Sequence, residues 1–205
     1  LAGSFSPNLP LTKVEIEATG FGFDEQKHTR PYIDEDVLKK LFPRKARIIA
    51  EAFLDKHSDG TYTFRPEIEN ANTLAYYIYE RTPKLSEPLK KTLLGLYGNV
   101  LFMRDLNEND KFVPRILGAD TEAYGQLEYG DRIAYDHLYE DYFYNRHTMF
   151  WYYEGMRKLA PLLLSTTMTA CGEDLGMIPA CVPWTMRNLQ ILSLEIQRMP
   201  KVYGE

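Results

Sequence analysis

Positive charge is in short supply in this sequence. Lysine and arginine number 24 against 29 aspartates and glutamates, a formal net charge of −5 over 205 residues. Phosphate recognition needs a clustered positive field, and the densest basic cluster is the brief Arg44, Lys45, Arg47; no nucleic-acid partner is expected. Long uncharged runs are missing as well. The longest extends only from Leu159 to Gly172, short of the ~20 residues of a membrane span, so no membrane partner is expected. No basic segment with an apolar core opens the sequence, and no secretory leader is expected. Cysteine is scarce: Cys171 and Cys181 fit no zinc or redox spacing, and two thiols suit a reducing, cytoplasmic compartment. Also absent are a Gly-x-Ser-x-Gly elbow, a P-loop, a dinucleotide fingerprint and a Cys-His pair at motif spacing. No cofactor is expected.

What is present is an ordinary globular balance, 44% hydrophobic and 26% charged, enough for one domain or a small domain with an excursion. The chain opens at Leu1 rather than methionine and ends at Glu205 after a strand-like run. Both ends are expected to be cuts through a longer protein. The first 130 residues read as short elements with clear punctuation. Thr12 and Glu15 form a capping box for a helix closed by Gly20. Asp34 caps a helix over 35–42 that stops at Pro43, and a third helix is expected over 44–53. Ser58-Asp59-Gly60 marks a hairpin within 53–65. Helical patterning returns over 73–80 and 87–96. The apolar run 100–103 fits either a strand or a buried helix. Residues 107–130 read as loop with short helices.

The strongest periodicity lies in 131–159. Tyr135, Leu138, Tyr139, Tyr142, Phe143, Met149, Phe150, Tyr153 and Met156 recur at spacings of mostly three and four, which predicts one long amphipathic helix with room for a kink near His147. Such a stripe can serve as a platform for sugars or bases, but aromatics at helical spacing are more often core, and core packing is the expectation. After Pro161 the pattern changes. Residues 166–171 and 191–196 read as buried strands flanking a helix from Pro179 to about Leu189, one βαβ unit with parallel strands. Strand is expected only there and in the hairpin.

Candidate chemistry is sparse. Glu25 and His28 show the Glu-x-x-His spacing of di-iron bundles, but that site needs a second copy and two more glutamates, so no metal is expected. His57 adjoins a turn and should be solvated; His137 and His147 are expected to be hydrogen-bonded structural residues. Glu173 stands apart, because a carboxylate directly after a buried parallel strand occupies the strand's carboxyl end, where barrel enzymes assemble their sites. An apolar strand beside it would withdraw water from the carboxyl, as a general acid requires. Capping of the following turn by Glu173 or Asp174 is the competing explanation.

The run Ala170-Cys171-Gly172-Glu173-Asp174-Leu175-Gly176-Met177-Ile178-Pro179, with 192–200 reading Leu-Ser-Leu-Glu-Ile-Gln-Arg-Met-Pro, resembles the 4-alpha-glucanotransferases of glycoside hydrolase family 77. The similarity is to the disproportionating branch of plant cytosol and gut bacteria, and it extends back through 141–147 and 150–152. Phe5-Ser6-Pro7, the Asp59-Gly60 turn and Arg65-Pro66 also look like the long insertion of that branch. The resemblance implies a (β/α)8 barrel, retention of anomeric configuration, alpha-glucan oligosaccharides as partners, and Glu173 as the general acid/base. The family's nucleophile sits in an Arg-Ile-Asp-His motif on the preceding strand, and its transition-state stabiliser in a His-Asp motif; neither motif occurs in these residues. Arg198, leaving the next strand on the same face, is a candidate subsite residue from geometry. The expected fold is mainly α with few strands: an insertion subdomain over 1–130, an aromatic helix over 131–165, and over 166–205 one βαβ unit of an incomplete barrel. The expected function is part of a retaining alpha-1,4-glucan transferase that needs the remainder of its parent chain. A non-catalytic helical module binding carbohydrate or protein is the alternative.

Overall fold

The computed structural model describes residues 9–82, 84–105, 107–108, 110–174 and 178–194. The chain is mainly helical, with few strands in small sheets, and divides into two compact units built on Leu9–Tyr135 and Asp136–Glu205.

The first unit is assembled from short, individually capped helices. β1 (Leu11–Thr12) runs directly into α1 (Lys13–Glu17), where the Thr12 hydroxyl accepts from the Glu15 amide and the Glu15 carboxylate accepts from the Thr12 amide at 2.8 Å. The helix ends before Gly20, which makes the following turn at φ +87°. Asp24 caps α2 (Glu25–His28) and Asp34 caps α3 (Glu35–Leu41); α4 covers Ala46–Phe53. The expected hairpin is present as β2 (Leu54–Lys56) paired antiparallel with β3 (Tyr62–Phe64), with Gly60 at φ +88° in its turn. α5 (Ala71–Tyr76) continues into a π-helical turn at Tyr77–Arg81, and α6 spans Glu87–Tyr97. The apolar faces of α3 to α6 meet in one core around Leu38, Phe42, Ile49, Phe53, Leu74 and Leu93.

Strand content is not confined to the hairpin and the C-terminal runs, which corrects the expectation from sequence. β4 (Phe102–Arg104) and β5 (Lys111–Pro114) pair antiparallel, and β1 joins the other side of β5 to give the order β1-β5-β4. Pro114 is tolerated because β1 pairs only with Lys111 and Phe112, so the missing amide of Pro114 faces no partner strand. α7 (Glu122–Gly125) and the start of α8 (Tyr129–Glu140) complete the unit. Tyr135 packs against Phe21 and Phe102, and its hydroxyl donates to the Leu101 carbonyl at 3.2 Å. A β-carbon at Gly118 would overlap that hydroxyl, so the backbone approach there requires glycine.

The second unit corrects the single long helix. α8 passes into a π-helical turn at Asp141–Asn145, and α9 (Thr148–Leu164) starts afresh and runs through Pro161. Pro161 sits in the last turn, where only three more helical residues follow. The aromatic stripe is therefore not uniformly core. Tyr135, Leu138, Tyr142 and Phe143 are buried, whereas Met149, Phe150 and Tyr153 are exposed, Tyr153 at 63%. His137 is exposed rather than a packed structural residue. β6 (Cys171–Gly172), α10 (Cys181–Asn188) and β7 (Leu192–Ser193) follow, and β6 pairs parallel with β7 as the βαβ reading requires. The strands are shorter than expected: 166–170 are not strand, and 195–196 lie outside the described residues. α10 starts two residues after Pro179. The strands are also not buried, since Cys171 is exposed and Leu192 is 57% exposed.

Two tests follow from this packing. His28 is 2% exposed against Phe21 and Phe23, and its Nδ1 accepts from the Asp24 amide at 3.0 Å. Burial, with the Lys27 charge adding, pushes its imidazole from 6.5 down to about 4. The folded ring is neutral where the unfolded ring takes a proton. Stability should thus be full above about pH 6.5 and fall as pH drops toward 4, by on the order of 3 kcal/mol at ~1.4 kcal/mol per unit. Urea unfolding across that window should show the fall, and His28→Leu should flatten it. In the second unit, a β-carbon at Gly155 of α9 would stand 3.3 Å from Thr185 Cγ2 of α10. Gly155→Val should therefore push the helices apart and cost roughly 1–3 kcal/mol, read as a lower melting temperature.

Candidate active site

Glu173 owes its place to the pairing of β6 with β7. Cys171 aligns with Leu192 and Gly172 with Ser193, and backbone bonds from Leu192 N to Ala170 O (3.0 Å) and Leu194 N to Gly172 O (3.2 Å) close the ladder. Parallel strands cannot be joined by a tight turn, so α10 carries the chain back across. α10 is held on α9 by the close Gly155–Thr185 approach and by Asn188 Nδ2 donating to the Tyr152 hydroxyl at 2.7 Å. Glu173 is the first residue past the ladder, at the carboxyl end of β6.

A cavity of about 570 Å³ lies between α9, α10 and β6, with Ile191 just ahead of β7 on its wall. Its walls are mostly apolar, including Trp151, Leu159, Leu163, Val182, Met186 and Ile191, and Glu173 supplies the charged group among its described lining residues. The Glu173 side chain itself is exposed. The apolar wall thus lies on one side of the carboxyl only, and the described residues do not withdraw it from water as the sequence reading anticipated. Asp174 behaves in the opposite way. It is 7% exposed, and its two carboxylate oxygens stand 3.0 and 3.1 Å from the Ser193 hydroxyl that donates to them. The two neighbouring carboxylates thus differ in environment, Glu173 exposed and Asp174 buried.

Of the other residues singled out from sequence, Arg198 lies outside the described residues. Glu25 and His28 share the short helix α2, where the histidine serves the aromatic core. His57 is exposed, with Nε2 2.9 Å from Thr63 Oγ1. Among the described residues, no group of three or more His, Cys, Asp and Glu side chains is placed to hold a metal ion. Both cysteines are free thiols; Cys181 is buried and its thiol is pushed up by desolvation. The contact that sequence reasoning missed is Asp174 with Ser193. Its signal in sequence was the polar serine between Leu192 and Leu194.

The profile of the 4-alpha-glucanotransferase family, glycoside hydrolase family 77, matches residues 40–204. Over 205 aligned residues the chain is 31% identical to 4-alpha-glucanotransferase DPE2 of Oryza sativa subsp. japonica, an alignment covering 98% of this chain and 22% of the rice protein. The chain thus spans less than a quarter of the length of that curated relative. No solved structure matches the chain. A family match across most of the chain, Glu173 included, means that this chain belongs to glycoside hydrolase family 77, the 4-alpha-glucanotransferases.

Proposed function

We propose that this chain is a segment of a retaining alpha-1,4-glucan transferase that moves glucosyl or maltosyl units between maltodextrins, with Glu173 as its general acid and base. The observation that carries the proposal is the position of Glu173, directly past a parallel strand and on the rim of a cavity, in a chain of this family. On this reading β6, α10 and β7 are one βαβ unit of a (β/α)8 barrel that the rest of the parent chain completes. Residues 1–130 form an insertion, 131–165 supply the helices leading into the barrel, and 166–205 belong to the barrel. The expected setting is cytoplasmic, in keeping with two free thiols. Alpha-glucan oligosaccharides are the partners.

The chemistry is a double displacement. In the first step a nucleophilic carboxylate bonds to the anomeric carbon while the glycosidic bond breaks, and the Glu173 carboxyl gives its proton to the departing 4-oxygen. In the second, the Glu173 carboxylate takes the proton from an acceptor 4-hydroxyl, whose oxygen attacks the anomeric carbon and releases the nucleophile. Retention requires the second carboxylate ~5–5.5 Å away. The family's nucleophile motif is not among these 205 residues. The chain by itself should therefore show no transfer: incubated with maltotriose it should yield neither glucose nor longer maltodextrins. Turnover abolished by Glu173→Gln would mean that a complete site resides in this segment.

A second reading, a non-catalytic helical module that binds carbohydrate or protein, draws on the exposed Met149, Phe150 and Tyr153 of α9. It anticipates binding without transfer by the parent protein. Donor choice separates the two. In the parent, Glu173→Gln keeps the shape and removes the proton, so transfer from maltose should fall by roughly 10²–10⁴-fold. An alpha-glucosyl fluoride needs no protonation to leave, and the variant should still form and accumulate the glycosyl-enzyme from it. Equal loss with both donors would show that Glu173 is not the acid.

A further inference from the structure

We infer that Asp174 is a positioning residue for Glu173 and acts through its hydrogen bond to Ser193 on the neighbouring strand. The inference rests on the reading of Glu173 as the acid. The described ladder between β6 and β7 has two residue pairs, and the last strand residue before Glu173 is Gly172. Gly172 is fixed by the ladder, its carbonyl accepting from the Leu194 amide at 3.2 Å, and a β-carbon there would crowd Ile191 and Met186. The residue immediately after it is Asp174, whose buried carboxylate receives the Ser193 hydroxyl. Ser193 is itself the ladder partner of Gly172. Glu173 is therefore held from both sides by one residue of β7: through the ladder on its amino side, and through the side chain of Asp174 on its carboxyl side. The hydroxyl is shared between the two carboxylate oxygens at 3.0 and 3.1 Å, and because its acceptor is a carboxylate the bond is of the charge-assisted kind. It also accounts for a carboxylate buried beside the catalytic candidate, a placement that is costly unless the group is bonded.

Proton transfer to a departing oxygen is more demanding of geometry than binding. A misplacement of about 1 Å can cost on the order of 10²-fold in rate. Loss of the clamp should consequently appear in turnover rather than in affinity, and only in steps that move a proton.

The test is made in the parent transferase with two donors. Ser193→Ala should lower kcat for transfer from maltotriose by roughly 10- to 100-fold with KM little changed. Fluoride release from an alpha-glucosyl fluoride in the first turnover should stay near the parent rate, and Ser193→Thr, which keeps a hydroxyl, should restore most of kcat. Asp174→Asn retains an acceptor oxygen but not the charge, and should give a smaller loss with the same donor selectivity. The inference is overturned if Ser193→Ala and Asp174→Asn leave kcat unchanged. It is equally overturned if they depress both donors alike in step with a lower melting temperature, which is what a role in stability alone would do. Glu173→Gln, run alongside, separates this failure from failure of the functional reading. If Glu173→Gln spares the fluoride while the clamp variants do not, the acid stands and only the clamp falls. Should Glu173→Gln itself fail to distinguish the donors, the acid assignment falls first.

Discussion

Two rungs of parallel pairing, Cys171 with Leu192 and Gly172 with Ser193, are the constraint on which the chemistry of the second unit depends. A two-stranded ribbon of that length is marginal in water by itself. What holds it is the crossover: α10 returns the chain in the direction parallel pairing demands and rests on α9 through a close approach at Gly155 and Thr185. The ladder sets the position of Glu173, and the packing of α10 on α9 supports that ladder. A larger side chain at Gly155 would press on Thr185 and so disturb the packing that supports the ladder.

The first unit solves a different problem. Its helices are too short to be stable on propensity alone, since isolated helices below ~12–15 residues are marginal. Caps at Thr12, Asp24, Asp34 and Asn70 satisfy the first amides of four of them, and a shared apolar core does the rest. Beside that core runs a second set of aromatic contacts joining Phe21, Phe23, Phe102, Phe112 and Tyr135. These residues come from widely separated stretches of chain, so this cluster ties the amino-terminal segment to the β1-β5-β4 sheet. His28 sits at its edge as a neutral ring, an aromatic filler with one acceptor turned to the Asp24 amide.

Local signals carried much of this in the sequence. The Thr12–Glu15 box, the Asp34 cap, the Asp59-Gly60 turn and the strand–helix–strand order after Pro161 are each decided within a few residues, and each is present. Signals that depend on distant partners did not show. Lys111–Pro114 reads as loop because it carries a lysine and a proline; it becomes a strand by pairing with Leu11–Thr12 and Phe102–Arg104. The aromatic stripe failed for a more specific reason. A π-helical turn adds a residue to the helical repeat, and the chain restarts at Thr148, so the angular phase that buries Tyr142 and Phe143 is lost by Met149 and Tyr153. Spacing in sequence stayed regular while the face it describes rotated. At the site, sequence placed Glu173 at a strand's end as the candidate acid, with capping of the following turn by Glu173 or Asp174 as the competing explanation. Their separation into one exposed and one buried carboxylate shows only in three dimensions, where Asp174 meets Ser193 of the neighbouring strand.

That separation bears on how a site of this kind is built. Two adjacent carboxylates facing the same way would repel, and each would disturb the protonation of the other. Their placement separates them: Asp174 is buried and accepts from Ser193, and Glu173 is exposed on the rim of the cavity. The described residues provide the position of the acid and one apolar wall beside it. On the proposed reading its desolvation comes from outside them, when the sugar donor and the nucleophile-bearing strand close over the exposed face. Position and environment would then come from different parts of the protein. This fits an acid that must act twice, since a carboxyl open on one side can release its proton to a leaving sugar and then meet an incoming hydroxyl by the same route.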